Sequence, residues 1–363
     1  MRIGLVDVDR TSWRNLHLMR RAAYHKAKGD TVLFPYDGAE PVDLVIMSTV
    51  FTRNRPLVFR WLKHLGITPT EQDPLFASME LPDWIQIGGT GWNIHAKAPA
   101  EVETCAPDYA LYDHLHGPAN YGQGFTSRGC PRGCHFCVVP EMSGSVVKPI
   151  NTLADLRNGE HKFIKLMDDN FWAPGNEWRE RMMEAIDNGF EVSFTQGLDI
   201  RFVDEERASL LHRVNFWDES HHNRIVTFAF DRPQIEKIYR RGFELLMKAG
   251  LRPGQVASFV LTGFDTTVED DMRRVEVLRE LGALPFVMVY EPINGEDIPE
   301  FYMRGGHSQE QYLRHWKRCK HLQRYCNHRA VWKSVPSFDQ YEPWIKQQNV
   351  WAEQDRQPKF FTA

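Results

Sequence analysis

The chain has 363 residues, a formal net charge of −4, 42% hydrophobic and 25% charged residues, values that argue against a disordered, fibrous or membrane-spanning protein. Its length suits about two domains, or one barrel-type domain with an appendage. No stretch approaches the roughly 20 consecutive apolar residues that cross a bilayer, so no membrane partner and a cytoplasmic location are expected.

The first hundred residues alternate strand and helix signals. RIGLVDV (2–8), TVLFPY (31–36), DLVIMSTVF (43–51) and WIQIGG (84–89) read as buried parallel strands, and NLHLMRRAAYHKAKG (15–29) has apolar residues at helical spacing before a glycine stop. This predicts a small Rossmann-like α/β layer over 1–100. Periodicity fades between 88 and 124, which places a linker at 101–121. Strands then recur at QGFTS (123–127), KFIKLMDD (162–169), FEVSFTQ (190–196), RIVTFAFD (224–231), QVASFVLTGFD (255–265) and LPFVMVYEP (284–292), with helical patterns at about 176–188, 204–214, 233–249 and 267–281. Six βα units over 122–295 form either an open doubly wound sheet or an incomplete barrel, and both gather ligands at the carboxyl ends of their strands. Those ends are polar: Asp168, Asp169 and Asn170; Gln196, Gly197, Asp199 and Arg201; Asp231 and Arg232; Thr262, Gly263 and Asp265; Glu291. Caps and turns account for some of them, Asp204 and Asp265 in particular.

RGCPRGCHFCVVP (128–140) holds three of the six cysteines, Cys130, Cys134 and Cys137, in the pattern C-x3-C-x2-C. Structural zinc takes four ligands. A fourth is not evident here: His135 sits awkwardly between two of the thiols, and His114 or His116 would have to fold back. An iron–sulfur cubane offers four corners, and three thiolates leave one iron for an outside ligand. Gly129 and Gly133 let the backbone wrap closely around a bulky cluster, Pro131 stiffens the loop, and Phe136 offers a ring to a flat heterocycle.

This loop, following the first strand of a six-unit βα series, resembles that of the radical S-adenosylmethionine (radical SAM) enzymes. The resemblance covers about residues 120–292. It implies a partial (β/α)6 TIM-type barrel, a [4Fe-4S] cluster on Cys130, Cys134 and Cys137, and S-adenosylmethionine on the remaining iron. Reductive cleavage of the sulfonium would then give a 5′-deoxyadenosyl radical that abstracts hydrogen from a substrate, with an electron donor such as flavodoxin or ferredoxin. By the same resemblance Phe136, Gln196, Asp199, Arg201 and Gly263 contact the adenosyl part. Asp168 or Asp169 stands where the family has a Gly-Gly-Glu segment, and would meet the cofactor's ammonium.

The small α/β layer ahead of the barrel resembles the branch with a cobalamin-binding-like domain. That branch often supplies a histidine through D-x-H-x-x-G, and here the strand end reads DVDRTS. A degenerate scaffold or substrate-docking role is expected ahead of cobalamin binding.

Residues 296–363 form a C-terminal helical extension. On its helix SQEQYLRHWKRCKHLQRYC (308–326), His315, Cys319, Leu322 and Cys326 share a face. Cys319 and Cys326 stand about 10 Å apart along a helix, too far to ligate one ion, and are expected as core residues. The basic residues between Arg304 and Lys333 suggest a solvated face, with a phosphate-bearing substrate as the competing reading. The contrasting functional hypothesis is a noncatalytic protein in which zinc organises the thiols and the basic helix contacts nucleic acid.

Overall fold

A computed structural model describes residues 1–67, 81–175, 177–290 and 308–341. The four apolar runs of the first layer pair as β1 (Arg2–Asp7), β2 (Thr31–Leu33), β3 (Leu44–Ser48) and β4 (Ile85–Gly88), in the order β2-β1-β3-β4 and all parallel. Every residue of β3 is buried, as a central parallel strand covered on both faces requires. Alternation along β1 sends Ile3 and Leu5 to one core, with Leu18 and Met19 of helix α1 (Leu16–Ala27), and Val6 and Val8 to the other, with Val58 and Leu62 of helix α2 (Arg55–His64). Asn15 caps α1 by accepting from the backbone N–H groups of His17 and Leu18.

The segment expected as a linker is packed. Leu111 and Tyr112 are buried in the core of the first layer, and the Tyr112 hydroxyl donates to Asp7 at 2.7 Å. The Tyr109 hydroxyl accepts from the Gln123 backbone N–H at 2.8 Å, and the Gln123 side chain donates to the Arg14 carbonyl at 3.1 Å. The segment is thus bonded to both parts of the molecule.

Beyond it lie β5 (Gly122–Gly124), an antiparallel ribbon of β6 (Ser127–Arg128) and β7 (Lys148–Pro149), then β8 (Phe163–Leu166), helix α3 (Trp178–Asn188), β9 (Glu191–Phe194), helix α4 (Glu205–Arg213) and a two-residue strand β10 (Asn215–Phe216) that the sequence pattern did not suggest. β11 (Val226–Ala229), helix α5 (Glu236–Lys248), β12 (Val256–Thr262), helix α6 (Val268–Leu281) and β13 (Leu284–Val289) follow. These strands form two parallel sheets, β10-β9-β8-β5 and β11-β12-β13. Leu198, just past β9, bridges Phe228 of β11 in parallel and stitches the sheets into one series. The molecule is therefore mixed α/β with parallel sheets.

Helix α7 (Gln309–Asn327) closes the edge left open at β13: the Asn327 side chain accepts from the Val287 N–H at 2.8 Å and donates to its carbonyl at 2.9 Å. Cys319 and Cys326 lie in the main core, as expected for a covering helix, and burial pushes the Cys319 thiol up to about 12. On the outer face Arg314 pairs with Glu310 and Arg318 with Glu269. A short helix α8 (Arg329–Ser334) follows. Glu291 and Arg304 lie outside the described residues. Among those described, no helix is long and apolar enough to cross a membrane.

Arg274 of α6 is 1% exposed and donates to the carbonyls of Phe230 and Leu261 while pairing with Asp271. It thus satisfies acceptors at the ends of two neighbouring strands. Arg274→Met removes the arginine from these acceptors and leaves the buried Asp271 carboxylate with the Thr266 hydroxyl but no counter-charge, and should lower the unfolding free energy by about 3–5 kcal/mol in urea denaturation. A loss under about 1 kcal/mol would contradict this role.

Candidate cluster and cofactor site

The cysteines sit on a loop that leaves the carboxyl end of β5 and is pinched at its base by β6 and β7. Gly129 holds φ +103°, and a Cβ there would stand 2.4 Å from the Val146 carbonyl oxygen, so only glycine fits beside the returning strand. The Cys130 N–H donates to the Gly144 carbonyl at 3.1 Å and the Cys137 N–H to that of Cys134 at 2.9 Å, folding the three thiols onto one turn-rich segment.

Three successive residues at the end of β8 grip this loop. Asp168 is buried and accepts from the hydroxyl and N–H of both Thr126 and Ser127, at 2.6 to 3.2 Å. Burial raises its pKa, and those four donors work against the rise. Asp169 accepts from the Gly129 N–H at 2.8 Å and pairs with Arg128 at 3.2 Å. The Asn170 side chain donates to the Cys130 sulfur at 3.5 Å. A second clasp comes from the β9 end: Asp199 accepts from Arg132, inside the cysteine loop, at 3.0 Å and from the Arg201 guanidinium at 2.7 and 2.9 Å. Burial acts to raise the Asp199 pKa, but the two arginines prevail and hold it below the usual carboxylate range. Arg201 also lies near the Cys134 thiol, whose attraction adds to that of Asp199 in holding the guanidinium charged against burial.

Of the three thiols, Cys130 meets a side-chain donor in Asn170, and Cys134 has the Arg201 charge beside it. Burial raises the Cys137 pKa, and the nearby Cys134, Cys130 and Asp169 add to the rise. All three cysteines are free. Among the described residues, no three His, Cys, Asp or Glu side chains converge on a single-ion site. Tetrahedral zinc at Zn–S of about 2.3 Å needs thiolates roughly 3.8 Å from one another, whereas thiolates on separate irons of a cubane stand farther apart. The three thiols, the Asn170 amide at Cys130 and the glycine-shaped loop fit a three-thiolate cluster.

Among the other residues picked out from the sequence, Phe136 meets Phe264 edge to face at 5.9 Å, and Phe264 meets Tyr290 at 4.7 Å, so Phe136 and Gly263 are brought to one aromatic wall at the β12 end. Gly263 has φ +75°. Gln196 is exposed and lines a different space, a cavity of about 600 Å³ between the carboxyl edge of the first sheet and the second. Asp168, Asp169 and Asp199 bond the cysteine loop or its base, and Arg201 bonds Asp199. Sequence reasoning missed Asn170 and Arg132 as partners of the loop; MDDN and PRGC carried only their polarity as a signal.

At the first sheet's edge, Asp9 accepts from Thr49, Val50 and Asn54. A Cβ on Gly89 would stand 2.1 Å from the Thr49 carbonyl oxygen, so the second glycine of WIQIGG answers to loop packing. His17, from α1, lines the same cavity; burial and the neighbouring Arg21 and Arg20 push its pKa down to about 4, leaving it neutral at pH 7.

No protein-family model matches the chain, and no curated protein matches it in sequence. By structure it has the fold of a radical SAM enzyme. One solved structure it is similar to is that of TsrM, a radical S-adenosylmethionine methyltransferase from Kitasatospora setae with cobalamin and a [4Fe-4S] cluster bound; the TM-score is 0.54 at 13% identity, over 79% of this chain and 74% of that one. Residues 122–290 are under half of this chain, so the likeness extends beyond the second set of strands. The resemblance to the branch with a cobalamin-binding-like domain is borne out at the level of the fold.

Asp169→Ala removes the acceptor of the Gly129 N–H. Amide exchange at Gly129 should then quicken by about ten- to a hundredfold, the loss of a charge-assisted hydrogen bond, while exchange in β12 stays unchanged. Unaltered exchange at Gly129 would mean that the carboxylate does not hold the loop.

Proposed function

We propose that the chain is a radical SAM enzyme in which Cys130, Cys134 and Cys137 hold a [4Fe-4S] cluster and leave one iron to S-adenosylmethionine. The observation that carries this reading is the placement of the three cysteines on a glycine-shaped loop at the carboxyl end of a parallel strand, gripped by Asp169 and Asn170 from one neighbouring strand end and by Asp199 from the next. N–H groups aimed at cluster thiolates stabilise their negative charge and tune the potential. When bound, such a cluster supplies the electron that splits the sulfonium and yields a 5′-deoxyadenosyl radical able to take hydrogen from a substrate.

In this reading 1–100 is a Rossmann-like layer, 101–121 joins it to a partial (β/α)6 barrel at 122–295, and 296–363 is a C-terminal extension whose helix Gln309–Asn327 covers the β13 edge, a chain suited to the reducing cytoplasm and to a donor such as flavodoxin or ferredoxin. The sequential parallel strands β5, β8, β9, β11, β12 and β13 support the barrel. Asp168, Asp169, Asp199 and Arg201 position the loop. Phe136, Gly263 and Gln196 remain the candidates for contact with the adenosyl part. The zinc alternative draws no support from the structural likeness to TsrM.

A second reading adds cobalamin and methyl transfer. It is favoured by the cofactor bound in TsrM and by the neutral His17 at the edge of the first sheet.

Anaerobically reconstituted protein should carry about four irons and four sulfides per chain, and with dithionite and S-adenosylmethionine should release 5′-deoxyadenosine. Cys134→Ala should lose cluster and product together while the chain stays folded by circular dichroism. Zinc in place of iron, or a full cluster that yields no deoxyadenosine, overturns the proposal.

A further inference from the structure

The cavity of about 600 Å³ between the two sheets holds an unbalanced set of cations. Arg20 and Arg21 reach it from α1, and Lys165 from β8. The Arg20 Nε is shut away from solvent with no acceptor, and burial pulls the Arg20 pKa down. Arg21 donates only to the neutral His17 ring, at 3.5 Å. The Lys165 ammonium rests 4.1 Å from the centre of the Tyr121 ring and forms no ion pair among the described residues.

The acids of the same cavity do not neutralise them. Asp9 is held by Thr49, Val50 and Asn54, and Asp7 takes the Tyr112 hydroxyl. Glu103 attracts Arg20, and Glu219 attracts Lys165, without closing an ion pair with either. The other arginines nearby are engaged, Arg14 by Asp113 and Arg128 by Asp169. Half-buried cations without partners cost free energy unless a ligand supplies the counter-charge. Between them the wall is apolar, with Phe51, Ile87, Phe125, Met142 and Met167, and Met142 belongs to the cysteine loop's short helical turn.

We propose that this cavity binds the substrate of the enzyme, an organic anion whose phosphate or carboxylate group is held by Arg20, Arg21 and Lys165 and whose apolar part lies against Phe125, Met142 and Met167. The inference rests on the proposed function for the word substrate. The anion site itself does not.

The test uses the full-length chain, with inorganic phosphate, pyrophosphate and citrate as probes in thermal unfolding and calorimetry. At least one probe should raise the Tm of the wild type, and the pattern among the three separates phosphate from carboxylate recognition. Arg20→Gln/Arg21→Gln and Lys165→Met should each weaken that probe by about ten- to a hundredfold. Without a probe, the same changes should leave the Tm equal or higher, because like-charge crowding is relieved. Arg20→Lys/Arg21→Lys should keep most of the response, which separates lost charge from a damaged fold. No Tm response in the wild type, or an equal response in the charge-removing variants, overturns the anion site. Hydroxocobalamin is titrated in parallel: if the same variants weaken it by the same factor, the cations serve that cofactor's phosphodiester and the substrate assignment falls. Iron content and deoxyadenosine formation are measured on the same preparation, so a protein that binds the anions but makes no deoxyadenosine refutes the enzymatic reading alone.

Discussion

The arrangement turns on the contact between the carboxyl end of β8 and the loop that leaves β5. The two strands are parallel neighbours, with Gly124 opposite Leu166, so the chain leaving one strand runs beside the chain leaving the other. Asp168, Asp169 and Asn170 meet Thr126–Ser127, Arg128–Gly129 and Cys130 in the same order. A buried carboxylate is tolerable only when its lone pairs are filled by donors, and Asp168 meets that condition with hydroxyl and N–H groups from two adjacent residues. Once these bonds form, the position of Cys130 is set by β8 rather than by the loop's own preferences. Without them, three thiols on a glycine-rich segment would have no fixed relation to the sheet.

The second clasp sets the far side of the loop. Arg132 lies between Cys130 and Cys134 in sequence and reaches Asp199, which also orients Arg201 toward the Cys134 sulfur. One carboxylate holding two guanidiniums stays ionised although it is buried, and its arginines are rigid, planar donors suited to bracing a loop. The net effect is a positive charge close to a sulfur that has to become a thiolate to ligate metal. Burial alone opposes that ionisation, as the raised Cys137 thiol shows. Preorganised donors are the physical means of reversing it.

Much of the architecture was legible because strand and helix periods differ and the segments are well separated. The runs at 2–8, 43–51, 255–265 and 284–292 each contain a strand, and the pattern at 267–281 became a helix one residue shorter at its start, where Thr267 serves as the cap. The cysteine spacing was legible for a different reason: three thiols in eight positions have few bland explanations. Asp168 was harder, since polarity at a strand end says a side chain will be satisfied but not by what. A carboxylate that greets a ligand and one that ties down the neighbouring loop have the same sequence signature. Asn170 and Arg132 were hidden for the same reason, because their partners lie 40 and 67 residues away and only the pairing of strands brings them together. On the tail the solvated face is the first reading of the basic residues; Arg314 and Arg318 have carboxylate partners, and the helix serves the sheet by capping Val287 through Asn327.

Charge left without a partner is more informative than charge in plenty. On the outer helix each cation can relax into water, so its presence carries little energetic meaning. Arg20 and Lys165 have lost much of that option, and burial moves both pKa values down. The fold tolerates them because their attraction to Glu103 and Glu219, and the Tyr121 ring under Lys165, offset part of the desolvation. It does not complete them. The two layers are bonded across the Tyr109–Gln123 and Gln123–Arg14 contacts, so the cavity walls cannot simply part to hydrate the cations. A joint that half-buries cations without closing ion pairs on them, next to the cysteine loop, is suited to an anion. On the proposed reading the N-terminal layer has a role whether or not it also takes a corrin: it supplies one wall of the cavity beside the cysteine loop.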